Sequence, residues 1–494
     1  MGIIFRQSVK SSIYSYIGVA IGFVTVGFLM PKFLSQEEIG LRMQIQSYSF
    51  LISSIIAFGI PQTIVRMFPH FANTKNKDHG ILSLLGLISF SSTLLFAFGF
   101  QYWGHHFFKS DIQNSAIFAE HYHLILPFTI ATLFFISLDG YASAIKESTV
   151  GTFFKDVVLR IGILIALSSY IYFDKVDYTV FINVFTALQY IPVLGIMLFL
   201  SRKGMFQITP KITFPSPHVK KEFFSVSLFN WVNIISGVAV VSIDSIMLSK
   251  LTGSADVGIY TTVSFFASLM IIPIKGLGKI TNSVVAEHFK NGDLKAIKSI
   301  YDKTAINFLI IGMFLFGNLL LLIPFIFNII LTDYSAGIGV LVFIGMANLF
   351  KMATGVKFIV IGNSKFYKWN TLILTTFIIS LIITNFIFIP IYGISGAAIA
   401  SMISSFIHQL IGMIFVKTKF NFWPFDKQYG KAILIFAILF IGIFWIPIPL
   451  KEPFEAILKS GIFSIAAIVL IWKLNMSSDL NHKLGELIES IKNR

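Results

Sequence analysis

The sequence predicts an all-α polytopic membrane protein of two similar six-helix lobes followed by two further transmembrane helices, fourteen spans in all. Three observations lead there. Hydrophobic residues make up 55% of the 494 and charged residues only 12%, more apolar surface than a soluble core can hide. The apolar residues fall in runs near or above the roughly 20 residues that a bilayer-crossing helix needs, divided by short charged loops. The chain also repeats itself. At an offset of 218 residues Lys32 falls on Lys250, Glu38 on Asp256, Ile39 on Val257, Gly40 on Gly258 and Leu41 on Ile259. The register holds through His70, Phe71 and Asn73 onto His288, Phe289 and Asn291, giving eight identities in 43 aligned positions. Roughly three are expected from so biased a composition.

Taken in order, Arg6 and Lys10 precede an apolar run at 11–30, too long for a signal-peptide core and read as an uncleaved first span. Further spans are expected at 41–65, 80–103, 121–143, 150–173 and 178–200, closing a first lobe at 1–205. A linker at 206–221 leads to a second lobe at 222–420, with spans at 223–249, 258–285, 304–331, 336–361, 369–390 and 394–416. Met197, Phe199 and Lys203 fall on Met413, Phe415 and Lys419 at an offset of 216, so the repeat reaches the last helix of each lobe. Two spans without counterpart, 431–448 and 456–473, lie in the stretch 421–475. The tail, 476–494, places Leu480, Leu484, Leu487, Ile488 and Ile491 on one helical face, which suits the membrane surface.

Charge sets the expected orientation. Of the 38 basic residues, 25 fall on the side of the termini, 6 on the other side and 7 within spans, which places both termini in the cytoplasm by the positive-inside bias. The net charge of +15 is therefore read as a property of the cytoplasmic loops and not as a nucleic-acid footprint. The absence of cysteine excludes disulfides, thiolate metal sites and cysteine nucleophiles. No phosphate-cradling P-loop is present, so this chain is not expected to hydrolyse ATP. His105, His106, His121 and His123 lack an acid cluster and are not expected to hold a metal.

The seven basic residues inside spans are Arg42, Arg66, Arg160, Lys275, Lys279, Lys351 and Lys357. Arg42, Arg66 and Lys357 lie within about a turn and a half of a span end, where snorkelling to the headgroups accounts for them. Arg160 is deep, with Asp156 one turn earlier and placed to pair with it. Lys275 and Lys351 are equally deep with no acid three or four places away, and Lys279 extends the Lys275 face by one turn. Ammonium groups at that depth face water or a partner rather than lipid. The candidate substrate contacts are thus Lys275, Lys279 and Lys351, then Arg160 and Arg66. Two buried acids, Asp244 and Asp139, are candidates to carry a coupling H⁺ or Na⁺, with a salt bridge as the structural alternative.

Three segments carry a family resemblance: FLSQEEIGL at 33–41, GIPQTIVRMFPHF at 59–71 and SIDSIMLSKLTGSADVGIY at 242–260. With the six-plus-six repeat, they make the chain similar to the multidrug/oligosaccharidyl-lipid/polysaccharide (MOP) exporter superfamily, and within it to the polysaccharide transporters, the O-antigen or lipid-linked oligosaccharide flippases. In that family the Asp of the seventh span is often followed by Arg, whereas Ser245 follows Asp244 here. The resemblance implies alternating access between two lobes, no enzymatic activity, no cofactor beyond a coupling ion, and an undecaprenyl-diphosphate-linked oligosaccharide as cargo. It further implies the bacterial inner membrane, a monomer, and contact with a polysaccharide polymerase or other assembly proteins. A lipid II flippase has the same span count and a basic cavity, while a drug/cation antiporter of this fold should show an acidic one. A membrane polymerase or ligase should carry a large outer loop with catalytic basic residues, and the largest loop outside, at 104–120, is too short for that.

Overall fold

The computed structural model describes residues 2–71, 80–173, 177–206, 208, 214–477, 479–482 and 486. Helix occupies each of the fourteen apolar stretches. Among the described residues, eleven helices are individually long and apolar enough to cross a membrane, twelve when a pair bent by 41° is taken as one. The chain is a multi-pass membrane protein, and its contacts divide it into two units, Met1–Thr261 and Thr262–Arg494.

The first unit contains α1 (Lys10–Phe33), α2 (Gln36–Ile56), α3 (Ile60–Phe71), α4 (Ile81–Phe107), the short α5 (Lys109–Asn114), α6 (Ala116–Ala144), α7 (Leu159–Tyr172), α8 (Tyr178–Arg202) and α9 (Pro217–Leu251). The sequence explains the start of α2. Ser35 accepts from Glu38 N at 3.2 Å and Ser35 N donates to the Glu38 carboxylate at 2.7 Å, a capping box that satisfies two helix-end donors. Between α2 and α3 the chain bends at Phe58 and Gly59, with φ 51° and 68°. Gly59 is required there, because a Cβ would stand 2.4 Å from the Ser227 carbonyl oxygen of α9.

The repeated glycines of the sequence meet in space. A Cβ on Gly40 would lie 1.8 Å from the Ser254 carbonyl oxygen, and one on Gly258 1.9 Å from that of Gln36. Two helix N-termini cross with backbone against backbone at this point, which only glycine allows. The core of the unit runs from Ile64 and Met67 of α3 through Leu138 and Tyr141 of α6 to Ile196 and Leu200 of α8.

The stretch 223–249 belongs to the second lobe by the repeat, but as α9 it packs within the first unit. Trp231 Nε1 donates to the Ile55 carbonyl at 2.6 Å, and Asn230 donates to Thr63 Oγ1 at 3.0 Å. Sequence symmetry follows chain order, whereas packing follows contact, so the repeat boundary at 206–221 and the contact boundary at Thr261 differ. Part of the expected linker, residues 207 and 209–213, lies outside the described residues.

Beyond α10 (Ser254–Ser268), which straddles the boundary, the second unit contains α11 (Ile272–Lys290), α12 (Leu294–Leu321), α13 (Ile338–Ala353), α14 (Lys357–Asn363), α15 (Lys368–Phe420), α16 (Lys427–Phe444) and α17 (Glu452–Lys473). α15 is two helices meeting at Gly393, whose φ of 55° and ψ of −130° no helix holds. The unrepeated pair α16 and α17 packs on α12. Phe463 is fully buried against Phe436 and α12, and Asn318 of α12 accepts from Ser460 at 2.5 Å and Ser464 at 3.1 Å. A Cβ on Gly317 would come within 2.5 Å of the Phe463 ring, so the glycine sets how closely α17 approaches. Of the tail face, Leu480 packs on this cluster, while Leu484, Leu487, Ile488 and Ile491 lie outside the described residues.

Candidate functional site

The first unit encloses a cavity of about 240 Å³. Its polar lining consists of Ser53 and Ser54 from α2, Gln62 from α3, Thr132 from α6, Gln189 from α8, and Lys155. Lys155 lies on a π-helical segment, Phe154–Val158, that leads into α7. Such a segment inserts an extra residue into the helical turn and re-aims its side chains. The Lys155 ammonium stands 5.1 Å from the Phe135 ring centroid and 5.8 Å from that of Phe50, cation–π contacts worth about 0.5–2 kcal/mol each. Its charged neighbours are Asp139, Asp156 and Arg160, yet among the described residues it forms no ion pair. Lys155 falls near the cytoplasmic end of the span expected at 150–173 and is not among the charges that the sequence singled out. The departure from 3.6 residues per turn, invisible in the hydropathy, turns it into the cavity.

The same segment corrects the pairing expected for Arg160. Asp156 and Arg160 do not form an ion pair, because the inserted residue between them rotates a four-residue spacing off one face. Both turn to α1 instead. Ser15 donates to Asp156 at 3.0 Å and Arg160 Nη1 donates to the Gly18 carbonyl at 2.6 Å. A Cβ on Gly22 would lie 2.3 Å from Nη1, so Gly22 leaves the slot that the guanidinium occupies.

Asp139, on α6, packs against Gly151, where a Cβ would stand 1.8 Å from its Oδ1. Asp244, 7% exposed, accepts from the Tyr260 hydroxyl at 2.6 Å. The Asp and Tyr of the segment 242–260 therefore tie α9 to α10. Arg66 is exposed on α3. Arg42 is 6% exposed, with its guanidinium 5.6 Å from the Phe185 ring centroid, and does not snorkel. The end of an apolar run is not the end of the folded interior, since α8 covers that face of α2.

In the second unit Lys351 donates to Asn348 Oδ1 at 3.5 Å, and Asn348 donates to the Ala267 carbonyl at 3.0 Å. Lys357, expected at the headgroups, is instead 1% exposed and donates to Thr354 Oγ1 and Gln409 Oε1. It follows a break at Gly355, φ 60°, that falls inside the unit and not at its surface. Lys275 and Lys279 lie one turn apart on α11, and their side chains lie outside the described residues. Among the described residues no group of three His, Asp or Glu could hold a metal ion.

A second polar cluster in the first unit has no counterpart in the sequence expectations. Asp111, on α5, is fully buried and accepts from the Tyr48 hydroxyl at 2.7 Å, from the Ser249 hydroxyl, and from Lys250 Nζ at 3.3 Å. Gln44 donates to Ser249 at 2.7 Å and accepts from Ser254 at 2.7 Å. Asn114 donates to the Lys250 carbonyl at 2.8 Å. The short helix α5 thereby bolts the ends of α2, α9 and α10 together around Gly40 and Gly258.

No family model and no curated protein matches the sequence. The structure of the lipid II flippase MurJ in an inward closed conformation aligns with a TM-score of 0.73 at 16% identity, covering 94% of this chain and 99% of that one. The chain has the fold of the MOP transporters. An inward-facing MATE multidrug transporter of the MOP superfamily aligns with a TM-score of 0.63 at 15% identity, over 85% of this chain and 98% of its own. A MOP superfamily transporter from Pyrococcus furiosus, described by a binding pocket of reversed polarity, aligns at 0.54 and 14% identity, over 84% of this chain and 95% of its own. The MOP fold that the family resemblance implied is therefore present along nearly the whole chain.

Proposed function

We propose that this protein is a flippase that carries an undecaprenyl-diphosphate-linked oligosaccharide, a unit of O-antigen or of another surface polysaccharide, across the bacterial inner membrane by alternating access. The observation that carries the reading is the cation at the wall of the internal cavity, where no carboxylate lines the surface. A diphosphate needs cationic partners, whereas a drug/cation antiporter needs the opposite lining. Fourteen spans with cytoplasmic termini, a lone protomer in the membrane and hand-over to a polymerase or other assembly proteins belong to the same proposal. Lys275, Lys279 and Lys351 serve as cargo contacts in the second unit, and Arg66 meets headgroups near the membrane surface. Arg160 serves as a tether for α1.

Lipid II is the second reading, favoured by the extent of the alignment with MurJ. Reconstitution in vesicles with fluorescent lipid-linked donors separates the two. Movement of a lipid-linked O-unit in preference to lipid II supports the first reading, the reverse order the second, and movement of neither removes both.

Coupling, on this proposal, runs through a carboxylate and not through ATP. Asp139 and Asp244 are the candidates to bind H⁺ or Na⁺. In vesicles holding an ion gradient, replacing both by Asn is expected to abolish the gradient-driven component of transport. Transport that keeps its full response to the gradient in the double variant excludes them.

A further inference from the structure

We propose that Lys357 and His408, joined through Gln409, form a proton-binding site of the second unit that needs no carboxylate. The inference rests on a buried side-chain cluster and not on the transport reading. First, Lys357 has no acid to pair with. Between Asp333 and Asp426 the sequence contains neither Asp nor Glu, so α13, α14 and α15 bring none. The other helices packed on α14 are α11 and α12. Glu287 of α11 is exposed, and Asp302 of α12 pairs with Lys298 at 2.9 Å. The side chains of Lys275 and Lys279 on α11 lie outside the described residues. An ammonium that is 1% exposed and without counter-charge carries the cost of a lone buried charge, which an amine avoids by giving up its proton.

Second, the surroundings accept the amine in either form. Its Nζ donates to Thr354 Oγ1 and Gln409 Oε1, two acceptors that serve the two N–H bonds of the neutral amine. The Phe358 ring centroid lies 4.6 Å away, and an aromatic face takes the third N–H when the proton is present.

Third, the contacts lead from Lys357 to a second base. Gln409 Nε2 stands 3.3 Å from His408 Nδ1. With its oxygen committed to Lys357, the amide donates there, so Nδ1 accepts and carries no proton. The His408 ring stacks on Phe358 and on Phe377, at 4.4 and 4.8 Å between centroids. Lys351 of α13 is the other cation beside it. His408 is half-buried, whereas Lys357 and Gln409 are buried, so the imidazole is the side from which a proton reaches the amine. Two cations linked by one amide, with no acid near, repel each other, and the pair therefore holds a single proton.

The test is nitrogen NMR of the purified full-length protein labelled in its histidines, with the His408 signal assigned by its loss in His408→Gln. At neutral pH the wild-type His408 is expected as the uncharged ring with its proton on Nε2. Lys357→Met removes the competing cation, and the pH at which His408 takes up its second ring proton is expected to rise by about one unit or more. An uncharged His408 with its proton on Nδ1, or a His408 that titrates at the same pH in both proteins or in neither, overturns the site. If Lys357→Met does not fold, Gln409→Leu replaces it. That variant removes the bond that holds Nδ1 bare, so the same upward movement is expected, and an unmoved titration rejects the site. None of these outcomes bears on the transport reading, which the vesicle assays decide.

Discussion

Replacing Lys275 and Lys279 together by Gln is expected to bring export of the lipid-linked glycan to background while the protein reaches the membrane in normal amount. The two residues occupy one face of α11, a turn apart. The deeper of them, Lys275, has no acid three or four places away to neutralise it. A charge-assisted hydrogen bond contributes about 1.5–3 kcal/mol, so losing both contacts is expected to weaken binding of the diphosphate by about 10²–10⁴-fold. Gln keeps the length and polarity of the side chain and removes only the charge. The double Arg variant is the companion measurement, because it keeps the charge and is expected to export. Normal export by the Gln variant, with protein level verified, removes α11 from the cargo path.

The second large effect is expected at Asp111. Its carboxylate, fully buried, gathers Tyr48, Ser249 and Lys250 from two helices that lie far apart in sequence. Asp111→Ala strips the acceptor from all three and leaves two hydroxyls and an ammonium to compete for water that barely reaches them. The expected cost is about 3 kcal/mol or more, seen as an earlier unfolding transition of the purified protein. Asp111→Asn keeps one acceptor and loses the attraction to Lys250, so its cost is expected at about half that. Lys250 is one-third exposed, and Lys250→Met is accordingly expected to be milder than Asp111→Ala. An Asp111→Ala protein within about 0.5 kcal/mol of wild type, the range of an ordinary surface substitution, shows that the bolt contributes nothing.

How much of this was legible beforehand differs from residue to residue. Each of the fourteen apolar runs is helical, because lipid leaves backbone groups no other way to pair and the pattern is then written in hydropathy alone. Ser35 and Glu38 could be read as a helix start from their spacing, since a capping box is a local device. The repeat marked Gly40 and Gly258 as special. That the two glycines touch depends on where distant helices cross, and no local signal carries that.

The charged residues divide along the same line. Depth within a run is a one-dimensional quantity, and it placed Arg42 and Lys357 at the headgroups and singled out nothing at Lys155, inside the span expected at 150–173. The structure buries the first two and turns the third into a cavity, because side-chain environment is set by neighbouring helices and by a π-helical turn that hydropathy does not register. Asp111 looked like an unremarkable loop acid, since its three donors come from residues 48, 249 and 250. Composition and the length of the apolar runs determined that this chain is a helical membrane protein, and the internal repeat with the resemblance at 33–41, 59–71 and 242–260 pointed to the MOP layout. Only the tertiary structure decided which of its charges face a cavity, which tether one helix to another and which are buried in a polar cluster, because a charge is defined by its partners and those come from afar in the chain.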